Sequence, residues 1–572
     1  MHLVIVTSGS RGDVQPYLAL ALRAMQGGHR VTLATHEFFR PWVERVGVSF
    51  RTLHGDPIRM LSAPGARAWL ADGSRVGLLR FVQEFRRDFA EVFDGLLTDL
   101  TAVTADADFV VYGAVCMAAA QLHDIRGTPV MAGWLAPLTP TRAFPVVGLP
   151  YREPHSAWDR RRNWITHLIG EQLLWQPSRA SVNRWRKQSL HAGPVPYLGP
   201  FANQRTPDYP VSYAYSPNVL PPPADWPAWV APTGWWFLDE PTFEPGNAIT
   251  SFLASGDAPV TIGFGSMTPQ DGEWLTRVVL DACERAQCRV ILLQGWGTLG
   301  TSSLPAWAHA ESEVPHAWLF PRSSAIVHHG GAGTTGAAVR SGVPSVVVPL
   351  GFDQQFWGGR LHALDVSPAP IRRRDLTPAA LAAAIARART DQRLRDAASS
   401  LGEIVRAEDG TGVALARIES HFERAAMPEP PSETASTQNC INAKLLQRRT
   451  ATAAEKHCRA PTAQHFSTMT FLKTARQILH SAISPSALSP SAAVALLRQL
   501  QFCVDAVPPT QFPEARPQQV SRYREQAAQV SKRRQSVTQS AMVVWRRGLA
   551  VCQAHSRPES ARDHPPPNAR AP

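Results

Sequence analysis

The 572-residue chain has no uninterrupted apolar run of the roughly 18 to 20 residues that a membrane-crossing helix needs. Its first residues, MHLVIVTSGS, do not join a basic stretch to a long apolar one. They read as an opening strand rather than a secretory signal. Cysteine is sparse. The seven cysteines show no zinc-finger spacing and no regular framework, and only Cys116, Cys283 and Cys288 precede residue 427. That excludes a disulfide-stapled scaffold and fits a reducing, cytoplasmic compartment. Acidic residues are in deficit, with a formal net charge of +12, but the excess is local. From Met427 onward there are 19 Lys+Arg against 8 Asp+Glu, whereas the first 426 residues carry 39 against 38. The main body is near neutral, so no nucleic-acid partner is expected.

What is present is alternation. Hydrophobic content of 44% and charged content of 18% suit a globular enzyme, and the length exceeds one compact core. Leu3 to Thr7 is a β-rich apolar run, Ser8 to Gly12 a Gly/Ser turn, Val14 to Gln26 helix-compatible, and Arg30 to Thr35 a second β run. Such a βαβ unit implies a parallel sheet. The pattern recurs at Phe109–Tyr112, Val115–Asp124 and Pro129–Gly133. The proline-rich Leu220–Pro232 stretch suits neither a long helix nor a central strand, and reads as a linker. The alternation then restarts at Pro259–Phe264, Trp274–Ala286, Val290–Leu293, Ala325–His328, Thr334–Ser341 and Ser345–Val348, and helical stretches follow at Pro378–Arg406 and Gly412–Arg424. The expected architecture is α/β: two Rossmann-like, doubly wound halves, residues 1–225 and 226–426, facing a cleft. Residues 427–572 form a basic, low-order tail in which Ile478–Phe502 alone suits a helix. An extension without selected structure and a targeting or interaction tail both stay open.

The segment HHGGAGTT, His328 to Thr335, lies between a strand and a helix. Its glycines let backbone N–H groups approach an anion, and the helix N-terminus adds partial positive charge. His329 can donate to a phosphate, and Thr334 or Thr335 can cap the helix or donate as well. A plain capped turn is the competing reading. Gly263-Phe264-Gly265-Ser266 is a second strand-end turn facing the same crevice, where Ser266 binds diphosphate or caps a helix. Asp353-Gln354 pairs a carboxylate with an amide, which suits sugar hydroxyls or a solvated loop. Asp13, just past the first strand, reads as a base or as a helix cap. Asp106-Ala107-Asp108 has a metal-binding form but precedes its strand, away from a ligand crevice, so no metal is expected. Trp158 to Lys187 mixes Trp with Arg and reads as a domain helix with a basic face or as a membrane-surface helix.

These residues together resemble the GT-B glycosyltransferases of the UDP-glycosyltransferase superfamily, in the branch of sterol glucosyltransferases and antibiotic glycosyltransferases. The resemblance spans about residues 1 to 425. It rests on GSRGDVQPYLALA, WFLD at Trp236, VTIGFGSM at Val260, VPHAWLFPR at Val314, HHGGAGTT, and GVPSVVVPLGFDQQFWG at Gly342. It implies an N-terminal half that takes the acceptor and a C-terminal half that takes a nucleotide-sugar donor. His329, with Gly331, Gly333 and Thr334, then resembles the diphosphate contact, Ser266 its neighbour, and Asp353 with Gln354 the sugar-holding pair. Asp13 looks like the catalytic base. Tyr112 and Gly113 stand where plant relatives carry the Asp that orients a basic His, so no dyad is implied. His316 stands where many relatives carry Gln near the base. Trp134 and Phe144 are expected to line the acceptor pocket.

The resemblance implies metal-independent, cofactor-free, inverting transfer of a hexose, glucose from UDP-glucose, to a hydroxyl of a lipid, sterol-like or other hydrophobic acceptor, with peripheral membrane contact an open partner. An inactive nucleotide-sugar-binding module is the alternative. A Rossmann-type dehydrogenase is a further one, although it needs an acidic residue at the end of the second strand, where Ala34-Thr35-His36 stands.

Overall fold

The computed structural model describes residues 1–55, 92–239, 243–265, 272–294, 304–312 and 314–426. Ser266 and all of 427–572, with the Ile478–Phe502 stretch, lie outside the described residues. Two parallel sheets organise the rest. The first runs β3-β2-β1-β4-β5-β6-β7, built from β1 (His2–Val6), β2 (Arg30–His36), β3 (Ser49–Leu53), β4 (Phe109–Tyr112), β5 (Val130–Trp134), β6 (Val211–Tyr213) and β7 (Val230–Pro232). The second runs β10-β9-β8-β11-β12, from β8 (Val260–Gly263), β9 (Val290–Leu293), β10 (Ala308–Glu311), β11 (Ala325–His328) and β12 (Ser345–Val347). In both, the first strand of the half lies centrally and the chain reverses direction beside it, so each sheet is doubly wound.

Central strands are apolar throughout because helices cover both faces. All five residues of β1 and all four of β4 are buried. The first half includes helices α1 (Arg11–Gln26), α2 (Arg40–Arg45), α3 (Gln121–Arg126) and the 33-residue α4 (Ala157–Ser189), and residues 92–103 are helical as well. Those of the second are α5 (Asn247–Ala254), α6 (Gly272–Arg285), the short α7 (His316–Leu319), α8 (Ala332–Ser341), α9 (Gln354–Ala363), α10 (Pro378–Thr390), α11 (Gln392–Arg406) and α12 (Gly410–Ala426). Among the described residues, no helix is long and apolar enough to cross a membrane.

Two features depart from the linear reading. The Leu220–Pro232 stretch does not simply link the halves, because Val230–Pro232 forms the outermost strand of the first sheet. An edge strand tolerates Pro232, which a central strand would not. The last helix also returns to the first half. Ala414, Leu415 and Ile418 of α12 are buried in the same cluster as Leu3, Ile5 and Leu18. Arg417 donates to Ser212 Oγ at 3.0 Å and to the Trp229 carbonyl at 2.9 Å, while His29 meets Glu419 at 2.9 Å.

The halves also share an apolar seam. Phe356 and Trp357 of α9, both fully buried, pack edge-on against Phe144, Tyr151 and Tyr215. Arg360 of α9 donates to the Val219 carbonyl at 2.6 Å and to the Tyr151 hydroxyl at 3.0 Å. This seam closes one side of the interdomain cleft and fixes how the two sheets' carboxyl ends confront each other.

Candidate active site

In the second sheet, β8 and β11 are neighbours with His328 in register with Gly263. The two turns that the sequence singles out therefore emerge side by side. Gly330, at φ +93°, turns the chain sharply, and its N–H donates to His328 Nδ1 at 3.1 Å. His329 then enters a slot that two glycines leave open. A Cβ on Gly265 would lie 2.9 Å from its Cε1, and a Cβ on Gly331 2.6 Å from its Nε2. Burial pushes the His329 pKa down to about 4, so the ring is neutral at pH 7. Its Nδ1 is buried with no partner among the described residues. A buried, neutral imidazole with an unmet nitrogen is suited to one hydrogen bond with an incoming group.

Helix α8 starts immediately after. Its N-cap is Gly331, in extended conformation and with no side-chain cap. The expected cap by Thr334 or Thr335 does not form. Thr335 points inward, fully buried with its hydroxyl unpartnered, while Thr334 is half-buried and Gly333 exposed at the rim. Apart from the Ala332 N–H, which meets the Asp353 carboxyl, a helix start without a side-chain cap leaves backbone N–H groups and partial positive charge as a setting for phosphate oxygens.

The loop after β12 delivers Asp353 and Gln354. Gln354 is buried, and its carbonyl oxygen accepts from the N–H groups of Leu350 at 2.7 Å and Gly351 at 3.1 Å. Its amide nitrogen has no partner among the described residues. Asp353 Oδ2 accepts from Trp357 Nε1 at 2.9 Å. Burial lifts the Asp353 pKa to about 6; the Trp357 N–H holds it down, and the nearby Asp13 charge raises it further. That last effect links the two halves, because Asp13 belongs to α1.

Asp13 stands at the third position of α1 and closes the turn after β1. Its Oδ2 accepts from Ser10 N at 2.8 Å and Ser10 Oγ at 3.0 Å. No described residue is bonded to its Oδ1. Burial raises its pKa, against the Ser10 hydrogen bonds. Cap and base are therefore compatible: one oxygen caps and the other is available. Gly9 makes this possible. It adopts φ +143°, and a Cβ there would stand 2.4 Å from Asp13 Oδ2. Gly113 likewise leaves room, since a Cβ there would lie 2.9 Å from the Tyr17 hydroxyl. Tyr112 is buried, and no carboxylate from that strand end reaches Asp13.

His36, which ends β2, is buried and bonded to Ser8 Oγ at 2.9 Å. A buried imidazole pinned inside the turn stands in place of the exposed carboxylate that would hold a dinucleotide ribose. Asp106 and Asp108 sit at the opposite end of the sheet, where Asp106 pairs with Arg51 at 2.6 Å and Asp108 accepts from His2 N at 2.6 Å. No group of three or more His, Cys, Asp or Glu among the described residues could hold a metal ion.

His316, the first residue of α7, stacks on Phe320 with ring centroids 4.4 Å apart. Its pKa falls to about 4 through burial and the charges of Arg11 and His329. Arg11, on α1, thus lies near His316; no local sequence signal marks it, nor Gly9 as the residue that makes room for Asp13. Trp134 closes β5, tilted against Tyr213. Phe144 is 2% exposed and packs on Trp226 and Phe356, so it supports the cleft wall from behind instead of presenting a surface.

Known proteins share this arrangement. The Glycosyltransferase family 28 N-terminal domain matches residues 3–125, and the Erythromycin biosynthesis protein CIII-like, C-terminal domain matches residues 277–413. The chain is 34% identical to the sterol 3-beta-glucosyltransferase of Emericella nidulans over 468 residues, covering 77% of this chain and 32% of that one. It is 34% identical to that of Komagataella phaffii over 435 residues, covering 74% and 34%. It therefore spans about a third of the length of these curated relatives. In fold it is similar to the calicheamicin glycosyltransferase (TM-score 0.53, 17% identity, 74% of this chain and 99% of that one). It is similar too to a glycosyltransferase from Streptomyces nogalater (TM-score 0.52, 20% identity, 73% and 99%). With two matching domain models, these relatives and the two-sheet architecture, the chain is similar over residues 3–125 and 277–413 to glycosyltransferase domains, and its fold is that of the GT-B glycosyltransferases.

Proposed function

We propose that the protein is an inverting glycosyltransferase that moves glucose from UDP-glucose to a hydroxyl of a sterol-like or other lipid acceptor. One observation carries the reading. A helix start without a side-chain cap, with His329 wedged beside it, lies in one half, and a half-buried carboxylate, Asp13, whose charge reaches Asp353, lies in the other. The first suits a leaving diphosphate and the second a base. The names of the curated relatives support glucose and a sterol-like acceptor.

In this reading the first half takes the acceptor and the second the donor. Asp353 and the Gln354 amide nitrogen hold sugar hydroxyls, and His316 stands beside the nucleotide. Asp13 Oδ1 takes the acceptor's hydroxyl proton as that oxygen bonds to the anomeric carbon. The bond from that carbon to the diphosphate oxygen breaks, and its electron pair leaves with the UDP. The α8 N-terminus and His329 stabilise the negative charge that develops. Ser266 would join them. Attack opposite the leaving group inverts the anomeric centre.

The test is incubation with UDP-glucose and a mixed sterol and lipid extract, followed by mass spectrometry for a hexose gain and NMR of the product's anomeric proton. Inversion is expected. Asp13→Asn should lower kcat/KM by about 10²- to 10⁴-fold with UDP affinity unchanged. Full activity in that variant would remove Asp13 as the base. UDP binding without transfer to any acceptor would leave a binding module in place of an enzyme.

A further inference from the structure

Helix α4 has two faces. At about 100° per residue, Asn163, His167, Ser178, Ser181 and Trp185 share one side, and all are buried. That side grips the loop after β5: His167 bonds the Phe144 carbonyl at 3.1 Å, and Val146 N donates to Thr166 Oγ at 3.0 Å. The opposite side should be polar. Instead Trp158, Ile165, Ile169 and Leu173 fall within about 80° of one another there. Trp158 and Leu173 are each 66% exposed and Ile169 55%. The stripe from Trp158 to Leu173 is about 22 Å long at 1.5 Å per residue.

The patch extends beyond the helix. Gln172 and Gln176, on the same side, donate to the carbonyls of Leu198 at 2.9 Å and Tyr197 at 3.1 Å. This pins a loop that adds Leu198, itself 64% exposed. Scattered exposed apolar residues are ordinary, but an aligned, anchored stripe marks a contact surface.

Its charge says what kind. α4 carries seven Lys+Arg against two Asp+Glu. Both acids are engaged within the fold, Asp159 with the Ser156 hydroxyl at 2.8 Å and Glu171 with Arg205 at 2.6 Å. Arg161 and Arg162 are exposed within about 60° of Trp158 around the helix, Arg162 also lying 3.6 Å from Asp159. An apolar stripe with a Trp at one end and arginines flanking it fits the headgroup boundary of an anionic bilayer, where the apolar side chains enter and the guanidinium groups meet lipid phosphates.

We propose that the outer face of α4 docks the protein on an anionic membrane surface. The docking does not depend on turnover, so it stands or falls apart from the glycosyl-transfer reading. Its geometric consequence is that the loop around Phe144, held by the inner face of the same helix, lies one helix diameter from the lipid.

The test is co-sedimentation of the full chain with phosphatidylcholine vesicles, with and without phosphatidylserine. Ile169→Glu/Leu173→Glu should reduce binding to the anionic vesicles at least about tenfold, the loss expected when two buried apolar side chains are withheld. An unchanged thermal midpoint would show that the variant folds. Arg161→Gln/Arg162→Gln should weaken binding severalfold and reduce its salt sensitivity. The basic residues after Ala426 provide the internal control. Vesicle binding that survives the Glu substitutions would assign adhesion to them and overturn the proposal. So would absence of vesicle binding, or a dimer in solution that the Glu substitutions dissolve.

Discussion

The turns after β1 and after β11 have the same plan and opposite electrostatics. Each follows a central buried strand, each depends on glycines, and each opens a helix at the crevice of a doubly wound sheet. The first is closed by its own carboxylate, with Asp13 accepting from Ser10 N and Oγ. The second has Gly331 as its cap, with no capping side chain of its own; only the Asp353 carboxyl, whose pKa burial lifts to about 6, accepts from the Ala332 N–H at the helix start. A helix N-terminus attracts anions only if nothing anionic already sits there. In the proposed reading, the closer capping of the first turn leaves the second to receive a diphosphate, although both look like glycine turns in sequence.

The largest effect expected from breaking this comparison comes from filling the glycine spaces one at a time. Gly9→Ala sets a Cβ against Asp13 Oδ2 and forces an alanine to φ +143°. Transfer should fall about 10²-fold, the cost of misplacing a catalytic group by about 1 Å, with UDP affinity by calorimetry nearly unchanged. Gly331→Ala instead drives into His329 Nε2. UDP affinity should drop about tenfold, the loss of one hydrogen bond to a charged group. Matching losses of UDP affinity in both variants would erase the division of labour.

Acid should separate the turns next. His316, His328 and His329 have folded pKa values of about 4, 3 and 4, below the unfolded value near 6.5. Between those values the unfolded chain binds more protons, so stability falls as pH falls. Asp13, raised, and Asp353, raised to about 6, work in the opposite sense, gaining stability as pH falls. Three histidines against two aspartates leave a net loss. Urea midpoints should decline from pH 7 to pH 5, and His328→Asn should make that decline shallower. The smallest effect belongs to Ser10→Ala. It removes one hydrogen bond to Asp13 Oδ2 and retains the backbone one. The acid limb of the kcat/KM profile should move to higher pH by less than about one unit, with a few-fold loss at neutral pH.

Long buried elements were legible in the sequence because pattern alone specifies them. Val290–Leu293 and Ala325–His328 fall where the apolar runs place them, and the βα alternation announces two doubly wound halves. Two short strands of the first sheet were not legible. β6 and β7 are too short to show a period, and prolines disguise β7 as part of a linker. In the site, residue types were readable but partnerships were not. Asp13 appeared as either cap or base, and only the direction of its two oxygens shows room for both. Thr334 and Thr335 looked like caps because Thr commonly caps, yet the chain enters α8 one turn earlier, at Gly331. Arg11 and His316 meet only through the cleft, a relation with no trace in local sequence.

The return of α12 to the first sheet has a consequence for how the chain is made. Strand β1 leaves a ribosome well before part of its covering, Ala414, Leu415 and Ile418, which comes some four hundred residues later. The first half cannot complete its core until the second has been synthesised. Contacts so distant in sequence are slow to form, and the exposed face of the first sheet must wait for them. The cleft is thus completed late, once α12 has closed the core of the first half.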